Sequence, residues 1–268
     1  MPKILLIISI LFCSACTEIP KVLKQANFKI VFLDVKQGDS TLIRTPNNCT
    51  IFIDGGPRGE LIQNLNKHLP ALERTIDLAI LSHPHLDHMG GLIELQNRFL
   101  IKNLWVTGVD YPSSDYQQLL AQSTNLNFIA KPVQYELCGL TISVLMPLES
   151  LIATEFENVN NSSIILQIQI KEQKIFFSGD AEHEQELEFL EAYQNQDLTS
   201  TIMKAGHHGS RTSNSLELLK KVTPEKLVIM SAKNNSYGHP HFETIEKANQ
   251  LDIDLYRTDL VGDIIFFW

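Results

Sequence analysis

Positive charge is scarce in this sequence. Its 22 Lys and Arg face 31 Asp and Glu, a formal net charge of −9. That balance argues against a protein that grips nucleic acid mainly through a broad basic surface. It leaves room for an enzyme that neutralises a phosphate with metal ions. Low-complexity tracts and charge blocks are missing from 268 residues that are 44% hydrophobic and 20% charged, so the chain reads as a single α/β domain. After the first residues no apolar run approaches the length of a membrane-spanning helix. Cysteine is sparse as well, with only Cys13, Cys16, Cys49 and Cys138.

The opening "MPKILLIISILFCSAC" has one basic residue, Lys3, an apolar stretch from Ile4 to Phe12, and small residues Ser14 and Ala15 before Cys16. This is the layout of a secretory signal peptide. Its ending resembles a bacterial lipoprotein signal, in which Cys16 becomes the lipidated first residue, although Cys13 stands where that pattern prefers Leu. Thr17 resembles the residue found there in lipoproteins sorted to the outer membrane. The expected division is a signal peptide over 1–15, a tether over 16–26 and one folded domain over 27–268. The product would be periplasmic, touching the membrane only through a lipid anchor. Cys49 and Cys138 would then face an oxidising compartment in which a bridge can form. Two buried free thiols are the plainer expectation, because a sequence carries no geometry.

From Asn27 onward the pattern falls into two similar halves. "FKIVFLDV", "STLIRT", "CTIFID" and "IDLAILS" read as strands, and residues 60–69 carry apolar positions at helical spacing. The scheme returns in "SIILQIQI", "KIFFSGD", the amphipathic "EHEQELEFLEAY", and the alternating strands and helices that follow. Five polar segments, "DGGPRG", "SHPHLDHMGG", "SGDAE", "AGHHGS" and "NNSYGHPH", each come after a predicted strand end, where sites assemble in α/β architectures.

"HPHLDH" puts His83 and His85 two residues apart, so that both point the same way from an extended loop, while the adjacent Asp87 and His88 diverge. That suits two metal positions, with imidazole and carboxylate donors acceptable to Zn2+ or to a harder ion such as Mn2+. Asp180 follows a strand and is placed to bridge two ions; its plainer role is a helix N-cap. Of His207 and His208, one is expected to ligate the second ion and the other to contact substrate or support a ligand; we assign ligation to His207 and a catalytic role to His208 and Asp87. His239 would meet substrate or protonate a leaving oxygen, or is simply a loop residue. His68, His183 and His241 read as solvent-facing. Ser210, Arg211, Thr212 and Ser213 read as the opening of a helix, and Ser210 and Arg211 are candidate phosphate contacts.

These motifs resemble the metallo-β-lactamase superfamily, whose HxHxDH signature matches His83, His85, Asp87 and His88. More narrowly they are similar to the soluble hydrolase domain of the competence protein ComEC and its free-standing relatives. "FLDVKQGDS", "IDGG", "SHPHLDHMGGL", "NNSSIIL", "FSGDAE", "KAGHHGSRTS" and "NSYGHPH" follow in that group's order from about Asn27 to the C-terminus. The resemblance implies a four-layer αββα sandwich with pseudo-twofold halves and a two-metal site on one edge. It implies that Asp54 orients a ligand His from behind the metal loop. One departure matters: most members supply a third His between HxHxDH and the bridging Asp, yet no His lies between His88 and Asp180. Asn160, Asn161 and Ser162 occupy that interval as weak or indirect partners, and Asn161 is assigned a supporting role.

The expected activity is that of a metal-dependent phosphodiesterase or nuclease in which two ions activate a hydroxide, with DNA or another phosphodiester as substrate. An envelope phosphocholine-type esterase and a non-catalytic metal- or DNA-binding module of the same fold are the alternatives.

Overall fold

A computed structural model describes residues 27–268. The signal peptide of 1–15, the tether of 16–26 and lipidation at Cys16 lie outside the described residues.

The first half runs β1 (Lys29–Phe32), β2 (Thr41–Arg44), β3 (Thr50–Ile53), α1 (Glu60–Leu65), β4 (Thr75–Ile76), β5 (Leu78–Ile80), α2 (Leu86–Gln96), β6 (Leu100–Ile101), β7 (Leu104–Val106), α3 (Ser114–Gln122) and β8 (Leu126–Phe128). The second runs β9 (Val133–Leu137), β10 (Leu140–Met146), β11 (Ile165–Ile170), β12 (Gln173–Phe177), α4 (His183–Ala192), β13 (Ile202–Lys204), α5 (Leu216–Val222), β14 (Lys226–Ile229), α6 (Phe242–Gln250), β15 (Asp254–Arg257), α7 (Thr258–Val261) and β16 (Ile264–Phe267). The hairpin β9–β10 carries no label in the sequence reading.

Two seven-stranded sheets result, in the orders β16-β1-β2-β3-β5-β7-β8 and β15-β14-β13-β12-β11-β10-β9. Each sheet passes from antiparallel pairs into a parallel run, β3-β5-β7-β8 in one and β12-β13-β14-β15 in the other, which is the repeat legible in the sequence.

Burial on both faces explains the layering. Along β1, Ile30 and Phe32 enter a cluster between the sheets with Ile43, Leu166, Ile168 and Phe177. Val31 and Leu33 point the other way, to Leu61, Met89, Leu92, Tyr116 and Leu119 of α1–α3. On the far side Phe176, Met203, Leu227 and Ile229 meet Phe189, Leu218, Leu219 and Ala248 of α4–α6. Three apolar seams among four layers make the αββα sandwich.

Cys49 and Cys138 are bonded to each other, with their Cα atoms 6.1 Å apart. This corrects the expectation of free thiols: Cys49 precedes β3 and Cys138 sits in the β9–β10 turn, so the bond joins the two sheets. His68 is also not solvent-facing, since its side chain is 4% exposed and pairs with Asp263 at 2.8 Å. Among the described residues no helix is long and apolar enough to cross a membrane.

Candidate metal centre

The site forms where β3, β5, β12 and β13 end. After β3, Asp54 turns at φ 58° into Gly55 and Gly56. The Gly55 N–H donates to the His88 carbonyl at 2.6 Å and the Gly91 N–H to the Gly56 carbonyl at 2.9 Å, clamping the start of α2 to the "IDGG" turn. A Cβ on Gly91 would overlap the Gly55 carbonyl oxygen, so close backbone approach requires glycine there. Asp87 and His88 consequently sit in the first turn of α2, with His85 just ahead of it.

Two imidazoles and two carboxylates approach one another near this turn. His88 Nε2 lies 3.2 Å from Asp180 Oδ2, and His208 Nε2 lies 3.1 Å from Asp87 Oδ2 and 3.3 Å from Asp180 Oδ2. Donors about 2.0–2.1 Å from a tetrahedral ion stand roughly 3.3 Å from one another. The far nitrogens are fixed by carboxylates: His88 Nδ1 donates to Asp54 Oδ2 at 2.9 Å, and His208 Nδ1 is 3.1 Å from both Asp39 Oδ1 and the Met230 carbonyl. Asp54 is itself held by the N–H and hydroxyl of Ser82. Buried His88 Nε2 has no hydrogen-bond partner, which is how a nitrogen reserved for a metal looks.

A second group lies alongside. His83 Nε2 is 3.1 Å from His85 Nδ1, and Ser82 Oγ lies 3.1 Å from His83 Nδ1. Ser163 stands 3.5 Å from the same nitrogen and accepts from the Asp180 N–H at 3.0 Å, so the "NNSS" segment fixes both groups at once. His207 approaches Asp180 Oδ2 at 3.9 Å through Nε2, and its Nδ1 is 3.3 Å from Glu182 Oε1.

The electrostatics fit cation binding. Asp39, Asp54 and Asp180 are buried, and Lys204 stands among them, bonded to Asp39 and 3.4 Å from Asp180 Oδ1. Burial disfavours a charged Asp180, yet His88, His208 and Lys204 outweigh it and hold the carboxyl well below its ordinary range. Burial likewise disfavours charged imidazoles, but Asp180 and Asp54 raise His88 well above its usual value, and Asp180 with Asp39 raises His208 to about 10. Protons on these two rings therefore balance the carboxylates of the metal-free chain, in positions that divalent ions could take over.

Above the donors opens a cleft of 370 Å³ lined by Gln37, His85, Asp87, Asp180, His207, His208, His239 and the rings of Tyr111 and Tyr237. The structure thus gathers His83, His85, Asp87, His88, Asp180, His207, His208 and His239, with Asp54 behind them. Of the neighbouring histidines, His208 Nε2 lies 3.1 Å from Asp87 and 3.3 Å from Asp180, whereas His207 Nε2 lies 3.9 Å from Asp180. Asn161 does not face the His83–His85 pair; it bonds Glu184 and the Glu182 N–H. Ser210 is buried with its hydroxyl on Thr212, and Arg211 points away toward Glu243. The helix expected at Ser210 begins at Leu216, capped by Ser215, so no helix start presents Ser210 or Arg211 to the cleft.

Sequence reasoning missed Asp39, Lys204 and Glu182. Asp39 is part of "FLDVKQGDS", and Lys204 precedes "AGHHGS"; both lie in quoted motifs, but an isolated carboxylate or lysine gives no spacing to read. Asp39, His88, Asp180 and His208 each bring a donor atom within 4.8 Å of the others. Because Asp39 is already engaged by Lys204 and His208 Nδ1, its place is behind the ligating ring.

Comparison with known proteins agrees with this architecture. The model of the metallo-beta-lactamase superfamily matches residues 33–232. ComE operon protein 3 of Bacillus subtilis is 27% identical over 195 residues, 71% of this chain and 24% of that protein. Competence protein ComA of Neisseria gonorrhoeae is 27% identical over 252 residues, 92% of this chain and 33% of that protein. The match thus spans 24% and 33% of the length of these two relatives. The crystal structure of the metallo-beta-lactamase fold protein YhfI from Bacillus subtilis superposes with a TM-score of 0.58 at 14% identity, covering 90% of this chain and 100% of that one. With its donors on one sandwich edge and the family pattern running through both halves, the chain belongs to the metallo-beta-lactamase superfamily of metal-dependent hydrolases.

Proposed function

We propose that the chain is a metal-dependent phosphodiesterase that cleaves DNA or a smaller phosphodiester. The observation that carries this reading is the approach of His88 Nε2 to Asp180 Oδ2, and of His208 Nε2 to Asp87 Oδ2 and Asp180 Oδ2, at 3.1–3.3 Å beside the His83–His85 pair. Asp180 Oδ2 lies 3.2 Å from His88 Nε2 and 3.3 Å from His208 Nε2 and its charge also acts on His83 and His85, so it is suited to serve both groups. When bound, two divalent ions, Zn2+ or Mn2+, would supply Lewis-acid stabilisation of phosphoryl oxygens and lower the pKa of the attacking water.

The chain's own residues shape the rest. Burial and the neighbouring histidines push His239 down to about 4, so it is neutral at pH 7 and a poor general acid there. The Gln37 amide lies 3.5 Å from His239 Nδ1; with Nδ1 accepting, Nε2–H can donate to a phosphoryl oxygen in the cleft. The names of the curated relatives, a competence protein and a protein of the ComE operon, support DNA as the polymer, whereas the net charge of −9 favours contact with a short stretch of strand over broad duplex binding.

Export with a lipid on Cys16 belongs to the same proposal. The Cys49–Cys138 bond suits an oxidising compartment, and labelling with a fatty-acid analogue, lost in Cys16→Ala, tests the anchor.

The central experiment is manganese-dependent turnover of single-stranded DNA and of bis(p-nitrophenyl) phosphate. Both activities are expected, and both should vanish in the Asp87→Ala and Asp180→Ala double variant. Cleavage of the small ester alone would overturn the nuclease part; no bound metal and no turnover would overturn the enzyme reading.

A further inference from the structure

We infer that Tyr237 is the platform on which a nucleobase beside the scissile phosphodiester stacks, so that the cleft selects a single nucleic-acid strand by its bases as well as by its phosphates. The inference rests on the phosphodiesterase reading above and names the class of ester that the same cleft takes.

Three aromatic rings step outward from the donors. The His239 ring lies 6.1 Å from that of His208, inclined by 35°, and the Tyr237 ring lies 5.7 Å from that of His239, inclined by 24°. Both spacings are those of interacting rings, and the outer pair is stacked. The inner end of the series is at the site, because His208 Nε2 stands against Asp87 and Asp180. The outer end is open: Tyr237 is 65% exposed, yet it lines the same cleft as Asp87, Asp180 and His208.

The loop that carries the outer rings is built in advance. Asn235 Oδ1 accepts from the N–H of Tyr237 at 3.1 Å and of His239 at 3.0 Å, and its Nδ2 donates to the carbonyls of Ala232 and His239 at 2.9 and 2.5 Å. Gln37, whose amide meets His239 Nδ1 at 3.5 Å, accepts from the Ala232 N–H at 3.2 Å. One asparagine thus closes the segment from Ala232 to His239 and sets Tyr237 beside His239. A tyrosine has two side-chain torsions to fix, so a ring presented in this way binds at little cost in entropy.

A single exposed aromatic residue is ordinary on a protein surface. Tyr237 differs in what it adjoins. With a phosphoryl oxygen on His239 Nε2, the sugar and base of the adjoining nucleotide come within reach of the ring that lies against His239. Among the described residues no lysine or arginine lines the cleft, so it lacks the basic groove with which strand-binding proteins track a backbone. Stacking supplies affinity without charge, and it accepts any base because every base has a π-face. In a duplex those faces are covered by neighbouring bases, so the platform serves a single strand or a frayed end.

The test is manganese-dependent cleavage, by the full chain, of an oligothymidylate and of a strand of equal length and charge whose residues are all abasic. Wild type should favour the thymidylate by about 5–150-fold, through KM and not through kcat. Tyr237→Leu keeps apolar bulk without a π-face; it should cleave both strands alike, with the efficiency of wild type on the abasic one. Tyr237→Phe should keep the preference. A wild type without preference, a preference that persists in Tyr237→Leu, or an equal loss on both strands would overturn the inference. So would a loss in Tyr237→Phe as large as in Tyr237→Leu, which would assign the effect to the hydroxyl. Anisotropy titration with the same strands under chelator reads the preference without turnover. If wild type cleaves neither strand, the nuclease reading fails by itself: a thymidylate preference in binding that Tyr237→Leu abolishes would still support the platform, and the lack of one would overturn it too.

Discussion

Asp54 reaches behind the metal-facing helix to hold His88, its Oδ2 2.9 Å from Nδ1 of that ring. Both side chains are buried, and Ser82 supplies the other hydrogen bonds of the carboxylate. Asp54→Ala should therefore leave His88 present but poorly aimed. Metal affinity at the Asp87–His88 position is expected to fall about 10–100-fold, measured by manganese titration, while the His83–His85 position changes little. Equal loss at both positions would mean that Asp54 supports the whole edge and not one ring.

His88 and His208 set the pH dependence of metal uptake. Burial opposes their charged forms, but the adjacent carboxylates win, raising His88 well above the ordinary histidine value and His208 to about 10. Each ring must shed a proton before Nε2 can ligate, so apparent affinity should rise about tenfold per pH unit for each proton released. Calorimetry between pH 6 and 8 in buffers of different ionisation enthalpy should detect about two protons released at this position. In the metal-free chain the sign for stability is the opposite: a raised imidazole contributes fully below its unfolded value of about 6.5 and the contribution is lost as pH rises through the folded value. Thermal stability without metal should thus decline on the alkaline side; metal affinity that falls with pH would contradict the assignment.

The alternation of β1, the amphipathic run of α4 and the polar strand-end segments were legible because each has a period or a fixed spacing. The hairpin β9–β10 was not: its first strand, "VQYEL", is mostly exposed on both faces and offers little alternation to read. The metal loop was legible through HxHxDH, and Asp54 through "IDGG". Why these two motifs carry paired glycines emerges only in three dimensions, where Gly55 and Gly91 bring their backbones together. The roles of His207 and His208 were not separable in sequence, because adjacent residues diverge in direction according to backbone angles. Lys204 and Asp39 were hidden for a related reason: a buried pair 165 residues apart leaves no local trace.

The Cys49–Cys138 bond closes a separation of 89 residues across the two sheets. In the chain-entropy account a closed loop of that length restricts the unfolded state by about 4–5 kcal/mol. Reduction, or the Cys49→Ser and Cys138→Ser double variant, should lower stability by about 2–5 kcal/mol without removing metal binding, because neither sulfur approaches the cleft. Denaturant melts with and without reductant measure the first effect. Abolished metal binding in a variant that is still folded would show the bond to act on the site.

Lys204 gives a prediction whose sign depends on metal. Its ammonium bonds Asp39 and the Gly179 carbonyl, and lies 3.4 Å from Asp180, with all three side chains buried. Lys204→Met keeps much of the volume but leaves two carboxylates without their lysine, and removing one partner of a buried pair costs about 3–5 kcal/mol. In the metal-free protein the thermal midpoint should fall by roughly 6–20 °C, taking about 2–4 °C per kcal/mol for a domain of this size. Divalent ions restore positive charge beside the same carboxylates and bind only the folded state, so they should recover more stability in the variant than in wild type. Melting curves of both proteins with chelator and with excess manganese provide the comparison. An equal loss in the two conditions would make Lys204 a packing element alone, whereas a loss confined to the metal-free state would identify it as the cation that shares Asp180 with the metal centre.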